Sequence, residues 1–262
     1  MRKEVVYMEY EFCKQVFENP LYQYEPKNSE LNDLKRSMVD NIPRHVPRVT
    51  KLLDSIKEDY LLQWANSLGW KRKSYTRTLQ EYAHIGTMVH EDIEEYFRFG
   101  TEGLTAGWVS FKMWWDELNR LNTVTDVMSE VELYGPYFGG TTDLYCKING
   151  YGAIIDFKTS KNIGYKYVMQ LAAYRHLMET TRGLPISYCI ILQVDKETCG
   201  IYHVYVYDLS RPEVCQLFDA SLDYVHHLAC CYMYNHYVRN TFDQLSKTVI
   251  DPFEWRAGNN DA

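Results

Sequence analysis

The spacing of apolar positions changes period several times along the chain, and each change marks an element. From Thr50, a candidate N-cap, Leu52, Leu53, Ile56, Tyr60, Leu61, Trp64 and Leu68 recur every three or four residues, which predicts one helix ended by Gly69. Ile85, Met88, Val89, Ile93, Tyr96 and Phe97 repeat the pattern over 82–99. A loop is expected over 100–107 and an aromatic-rich helix over 108–121. The period then drops to two over 129–134, where Glu130 and Glu132 share a face. Two apolar runs follow, meeting at Asn149-Gly150, the dipeptide best suited to the positive φ angles of a type I′ hairpin turn. Helical spacing returns over 166–182 and is closed by Gly183 and Pro185. A second hairpin, 187–194 with 201–208, and a long helix over 211–240 complete the pattern. Residues 1–45, rich in Tyr and broken by Pro20, Pro26 and Pro43, predict only helical or irregular packing, and the tail from Asp251 is expected to be loose.

Strands interleaved with helices define an α/β chain, and 262 residues suffice for a sizeable core. The first dozen residues lack the apolar segment of a signal peptide, and no run of about 18 apolar residues occurs anywhere. A soluble, intracellular protein without a membrane partner is therefore expected. Seven scattered cysteines, at 13, 146, 189, 199, 215, 230 and 231, make no disulfide framework, and their spacing does not suit an iron–sulfur cluster.

The net charge of −7 argues against a protein that coats nucleic acid without selectivity, but its distribution is uneven. Residues 35–77 hold ten Lys/Arg against four Asp/Glu, and residues 90–143 hold three against eleven. A basic segment ahead of an acidic one is the asymmetry expected where phosphates are drawn towards acids that a cation offsets. In the basic segment Lys71, Arg72 and Lys73 stand beside Trp70 and Tyr75, a combination suited to backbone charge and stacked bases.

The chemistry concentrates in the hairpin. Along an extended strand alternate side chains share a face, so Asp156 and Lys158 emerge together, and folding at Asn149-Gly150 brings Asp143 towards Asp156. Two carboxylates this close repel, and a hard divalent cation relieves the repulsion. Mg²⁺ or Mn²⁺ is the expected cofactor. Gln170 and Tyr174, four apart, share one face of the following helix. His90, taken alone, reads as a core histidine beside an apolar stripe.

The ordered set Asp143, Asp156-Phe157-Lys158 and Gln170-x-x-x-Tyr174 resembles the PD-(D/E)XK nucleases, in particular the RecB-like branch that includes mitochondrial genome maintenance exonucleases and many phage exonucleases. The likeness spans about residues 46–195. It implies a restriction-endonuclease-like core, a mixed sheet flanked by helices, over 82–210; outside it the residue pattern predicts a helical extension over 1–81 and a packed helix and tail over 211–262. It also implies a metal held by His90, Asp143, Asp156 and the Phe157 carbonyl, with Glu130 as a further candidate ligand and Glu132 its runner-up. Gly86-Thr87-x-x-His90 resembles the branch's histidine-bearing helix, and Glu94 could hold that ring. Lys158, Gln170 and Tyr174 are the other catalytic candidates. Arg48 and Thr50, in a segment like the branch's phosphate-contacting one, join Lys71, Arg72 and Lys73 as candidate substrate contacts. The expected activity is metal-dependent DNA exonuclease, preferring single strands or single-stranded ends, monomeric, serving replication, recombination or repair and compatible with a phage source. A structure-selective or restriction-like endonuclease and a non-catalytic nucleic-acid-binding module are the alternatives.

Overall fold

The computed structural model describes residues 46–56 and 59–246, all within one compact unit, His45–Ala262. Expectations for residues 1–45, including Cys13, and for the tail from Asp251 lie outside the described residues.

Four helices come first: α1 (Val49–Leu53), α2 (Asp59–Trp70), α3 (Tyr75–Phe99) and α4 (Ala106–Leu121). Strands β1 (Val124–Tyr134), β2 (Gly139–Ile148) and β3 (Tyr151–Lys158) follow, then α5 (Tyr165–Thr181), β4 (Tyr188–Val194), β5 (Tyr202–Asp208) and α6 (Pro212–Ser246). The strands form one mixed five-stranded sheet in sequence order. All neighbours are antiparallel except β3 and β4, which run parallel because α5 crosses between them.

Helices flank the sheet on both sides, and β3 shows why. Ile154 belongs to the core shared with α1, α5 and α6, whereas Ala153, Ile155 and Phe157 belong to the core shared with α3 and α4. Cys189 and Ile191 of β4 divide from Ile190, Leu192 and Val194 in the same way. Strands covered on both faces read as continuous apolar runs, which is how both appear in the sequence. No disulfide joins the described cysteines, and among the described residues no helix is long and apolar enough to cross a membrane.

The β2–β3 hairpin forms as its turn chemistry dictates. Asn149 and Gly150 both take positive φ, +52° and +85°. The Asn149 side chain also accepts the Thr123 N–H and donates to the Asn122 side chain, stapling the turn to the entry of β1.

Four expectations change. The single helix from Thr50 is two: α1 stops at Leu53, and Ser55 and Ile56 make i→i−3 bonds to Leu52 and Leu53. The freed Ile56 carbonyl accepts a hydrogen bond from Lys166 Nζ at 2.6 Å, a tertiary partner that local periodicity cannot reveal. Thr50 is not the N-cap; Arg48 holds that position without a side-chain cap. Helix α3 starts seven residues before Tyr82, where Ser74 accepts the Arg77 N–H, and Gly107 lies inside α4 rather than in the loop.

An alanine at position 150 must adopt a left-handed φ. Gly150→Ala should therefore cost about 1 kcal/mol or more, a fall in Tm of roughly 3 °C for a chain of this size. An unchanged Tm in calorimetry would rule out the strained turn.

Candidate active site where β2 and β3 part

The β2–β3 ladder runs from the turn to the pair Leu144↔Ile155 and ends there, so Asp143 and Asp156 follow as the next residues on each strand. Instead of pairing backbone to backbone, Asp143 Oδ2 accepts the Phe157 N–H at 2.7 Å. A strand residue's N–H and C=O leave the same edge, which places the Phe157 carbonyl on the edge facing Asp143.

Asp156 has no solvent exposure. Its Oδ1 accepts from Gln170 Nε2 at 3.2 Å, and its Oδ2 pairs with the Lys158 ammonium without a well-aligned hydrogen bond. Burial pushes the Asp156 carboxyl above the usual range; Lys158 opposes the rise and Asp143 adds to it. Burial lowers the Lys158 pKa, but the Asp156 and Asp143 carboxylates outweigh that and hold it above its ordinary value. A buried acid thus relies on one neighbouring ammonium for most of its compensation.

Helix α5 holds this pair from one side. Gln170 and Tyr174 lie on one of its faces, as their spacing predicts, and Gln170 Nε2 also donates to the Tyr174 hydroxyl at 3.4 Å. Burial first, and the Asp156 charge second, raise the Tyr174 pKa, so the phenol stays protonated at neutral pH. Gly140 makes room for it: a Cβ there would lie 2.7 Å from the Tyr174 ring. Tyr167, which the sequence did not single out, presents its ring to Lys158, 5.0 Å from Nζ to the ring centre. Its position three residues before Gln170, hence on the same side of the helix, was the available signal.

Helix α3 closes the other side. His90 Nδ1 stands 3.7 Å from Asp143 Oδ2, with the side chain one-third exposed. Gly86, one turn earlier, brings the helix against the end of β3, where a Cβ would sit 2.9 Å from Thr159 Oγ1. Glu94 does not hold the imidazole; it pairs with Arg98 at 2.8 Å. Glu130, at φ +49° in β1, is raised to about 7, first by burial and then by Asp143 and Glu94, with Arg98 and Arg48 pulling the other way. Glu132 lies outside this group, since its carboxylate accepts the Tyr134 hydroxyl and its carbonyl the Arg182 guanidinium.

Arg48 borders the site. Pro47 and Gly139 share a backbone bond, and Arg48 Nη2 donates to Thr141 Oγ1 at 3.2 Å, two residues from Asp143. Thr50 is exposed on α1 without a described side-chain contact to the acids. Lys71, Arg72 and Lys73 are exposed at the α2–α3 turn. Since α3 rises about 1.5 Å per residue, they stand roughly 25 Å from His90 along its axis. Trp114 and Trp115 of the aromatic-rich helix, which fits a wall of a substrate channel or a core equally well by sequence, are core residues, 6% and 7% exposed. Trp70, by contrast, is 89% exposed. A depression of about 440 Å³ lined by Tyr96, Phe97, Gly100, Trp115, Val127 and Ser129 lies apart from the acids, none of which lines it.

Among the described residues, no group of three or more His, Cys, Asp or Glu side chains converges on a point that could hold a metal ion as the side chains stand. The donor set nonetheless suits Mg²⁺, which takes one or two carboxylates and otherwise keeps water. Burial is the main cause of the raised pKa of Asp156 and Glu130, and Asp143 adds to both, a mutual repulsion that a bound cation would relieve.

No family model matches the chain, and no curated protein matches it. Among solved structures it is similar to the crystal structure of SSO0001, at 15% identity over 75% of this chain and 86% of that one, with a TM-score of 0.34, which carries no argument about either fold or activity.

A carboxyl raised on folding favours the folded state below its unfolded pKa, here about 4.5, and that contribution is lost as pH rises through about 7. Glu130→Gln should therefore change Tm little at pH 4 and raise it increasingly to pH 8, measured in EDTA. A gain of 1 kcal/mol corresponds to about 2–4 °C. An equal effect at both pH values would remove the electrostatic origin.

Proposed function

We propose that the protein is a metal-dependent deoxyribonuclease of PD-(D/E)XK type, acting from DNA ends. The observation that carries this reading is the placement of Asp143, Asp156, Lys158 and Gln170 around the point where β2 and β3 part, with His90 beside Asp143. Residues drawn from four elements, 80 positions apart at the extremes, come together there, which supports the reading. A solvated surface does not need two acids and a buried ammonium in that relation.

Asp143, Asp156, His90 and the Phe157 carbonyl would hold Mg²⁺ or Mn²⁺, with Glu130 next to them. When bound, the cation supplies Lewis acidity to the phosphodiester and to the water that attacks it. Lys158 provides a fixed positive charge where negative charge grows on the phosphoryl oxygens. Gln170 and Tyr174 keep the Asp156 carboxylate in one orientation, which a reacting geometry requires. Arg48, exposed at the rim, is placed to meet a backbone phosphate. Lys71, Arg72 and Lys73, with Trp70, would engage the strand several nucleotides away by charge and stacking. Preference for an unpaired strand rests on that more distant group, since Trp114 and Trp115 are withdrawn into the core.

End-labelled linear DNA should be degraded with Mg²⁺ or Mn²⁺ and remain intact in EDTA. Asp143→Asn and Asp156→Asn should abolish both cleavage and Mn²⁺ binding in titration calorimetry, while Lys158→Ala should retain Mn²⁺ and DNA binding and lose about 10²-fold in turnover. Unchanged Mn²⁺ affinity in both aspartate variants would sink the site assignment.

Circular single-stranded DNA should survive conditions that consume its linear form. Equal rates on the two substrates would establish an endonuclease instead.

A further inference from the structure

The Lys158 ammonium has two neighbours of different kinds. One is the Asp156 carboxylate, the other the face of Tyr167 on the first turn of α5. The Tyr167 ring is itself fixed from behind. Its hydroxyl donates to Ser160 Oγ at 3.0 Å, and that oxygen donates to the Asn162 carbonyl, tying the ring to the loop after β3. The same loop is gripped by Gln193, whose Nε2 donates to the carbonyls of Ser160 and Lys161 at 2.7 and 3.0 Å. Gln193 is the ladder partner of Lys158 on β4, and its Oε1 accepts from the Tyr205 hydroxyl on β5. A continuous set of bonds from β5 to α5 thus holds one aromatic face beside the ammonium.

We propose that Tyr167 is a positioning residue for Lys158, giving the ammonium a second seat when a divalent cation takes its place on Asp156. This inference rests on the nuclease reading above. In the present arrangement Lys158 occupies the side of the carboxylate that a cation would need, so the two compete for Asp156 Oδ2. An ammonium displaced into water would leave the region where phosphoryl charge develops. An ammonium held over a ring stays, because the ring face attracts cations without neutralising them or donating hydrogen bonds. Tyr167 therefore serves both steps: it lowers the cost of displacing Lys158 and keeps the charge in place afterwards.

The test compares Tyr167→Leu and Tyr167→Phe in the full chain, with Tyr167→Gln as a second ring-free variant should the leucine form fail to fold. Mn²⁺ affinity is read by titration calorimetry without DNA, and kcat and KM on end-labelled linear single-stranded DNA. Removing the ring should weaken Mn²⁺ binding about 3- to 10-fold, within the range a cation–π contact spans. It should lower kcat about 10-fold or more with KM within about 2-fold, as for a group acting on the transition state. Tyr167→Phe, which keeps the ring and loses the Ser160 bond, should restore both quantities. Lys158→Ala, which leaves Asp156 Oδ2 without its competitor, should tighten Mn²⁺ binding. Equal impairment in the phenylalanine and leucine variants would overturn the proposal, because the hydroxyl rather than the ring would then be responsible. Wild-type values in the ring-free variants would overturn it alone, whereas a wild-type chain that neither binds Mn²⁺ nor cleaves DNA would overturn the nuclease reading with it.

Discussion

Burying the Asp156 carboxylate in the middle of a sheet is the constraint to which the surrounding structure answers. A charge withdrawn from water must be paired or must neutralise itself, and the chain supplies Lys158, Gln170 and a protonated Tyr174 to hold it in its place. Each supporting group brings its own requirements. Tyr174 needs Gly140 opposite, Gln170 needs α5 to cross close over β3, and Lys158 needs the loop after β3 fastened by Gln193. Removing Lys158 would take away the ammonium that pairs with the buried acid, and removing Asp156 would leave that ammonium with Asp143 alone.

The acid cluster and the depression beside α3 and α4 are separate features of the molecule. The 440 Å³ depression is lined in part by Tyr96, Phe97 and Trp115, with Phe97 packed edge-on against the other two, whereas the acids lie where two strands part. Charge concentration, rather than volume, distinguishes the candidate site. Asp143 contributes to the raised pKa of both Asp156 and Glu130, which ties three carboxylates from three strands into one electrostatic group.

What the sequence revealed and what it concealed follow from the range of the interactions involved. The hairpin was legible because Asn149-Gly150 needs only its own backbone preferences to turn. The shared face of Asp156 and Lys158, and of Gln170 and Tyr174, followed from strand and helix periods. The break after Leu53 was hidden because the partner of the Ile56 carbonyl is Lys166, 110 residues later. Burial of Trp114 and Trp115 was equally obscure, since an aromatic helix in isolation fits a core and a binding wall alike. Alternation alone put Glu130 and Glu132 on one face and did not separate them; only the resemblance ranked Glu130 first, and its positive φ in β1 leaves no mark in such a pattern. Tyr167 escaped notice because its role comes from a ring face meeting an ammonium, not from donor chemistry.

The parallel pairing of β3 with β4 divides the acid's neighbours by distance along the chain. Lys158 is two residues from Asp156, and Asp143 reaches it through a turn of two residues, so the counter-ion and the opposing carboxylate are sequence-local. Gln193, Tyr205 and His90 belong to elements that must be brought in from 37 to 66 residues away from Asp156. The hairpin therefore contains its own charge compensation, joined by short loops whose closure costs little entropy. The distant elements add the cover that takes the acid out of water, so the charge pair is a local matter and its seclusion a global one.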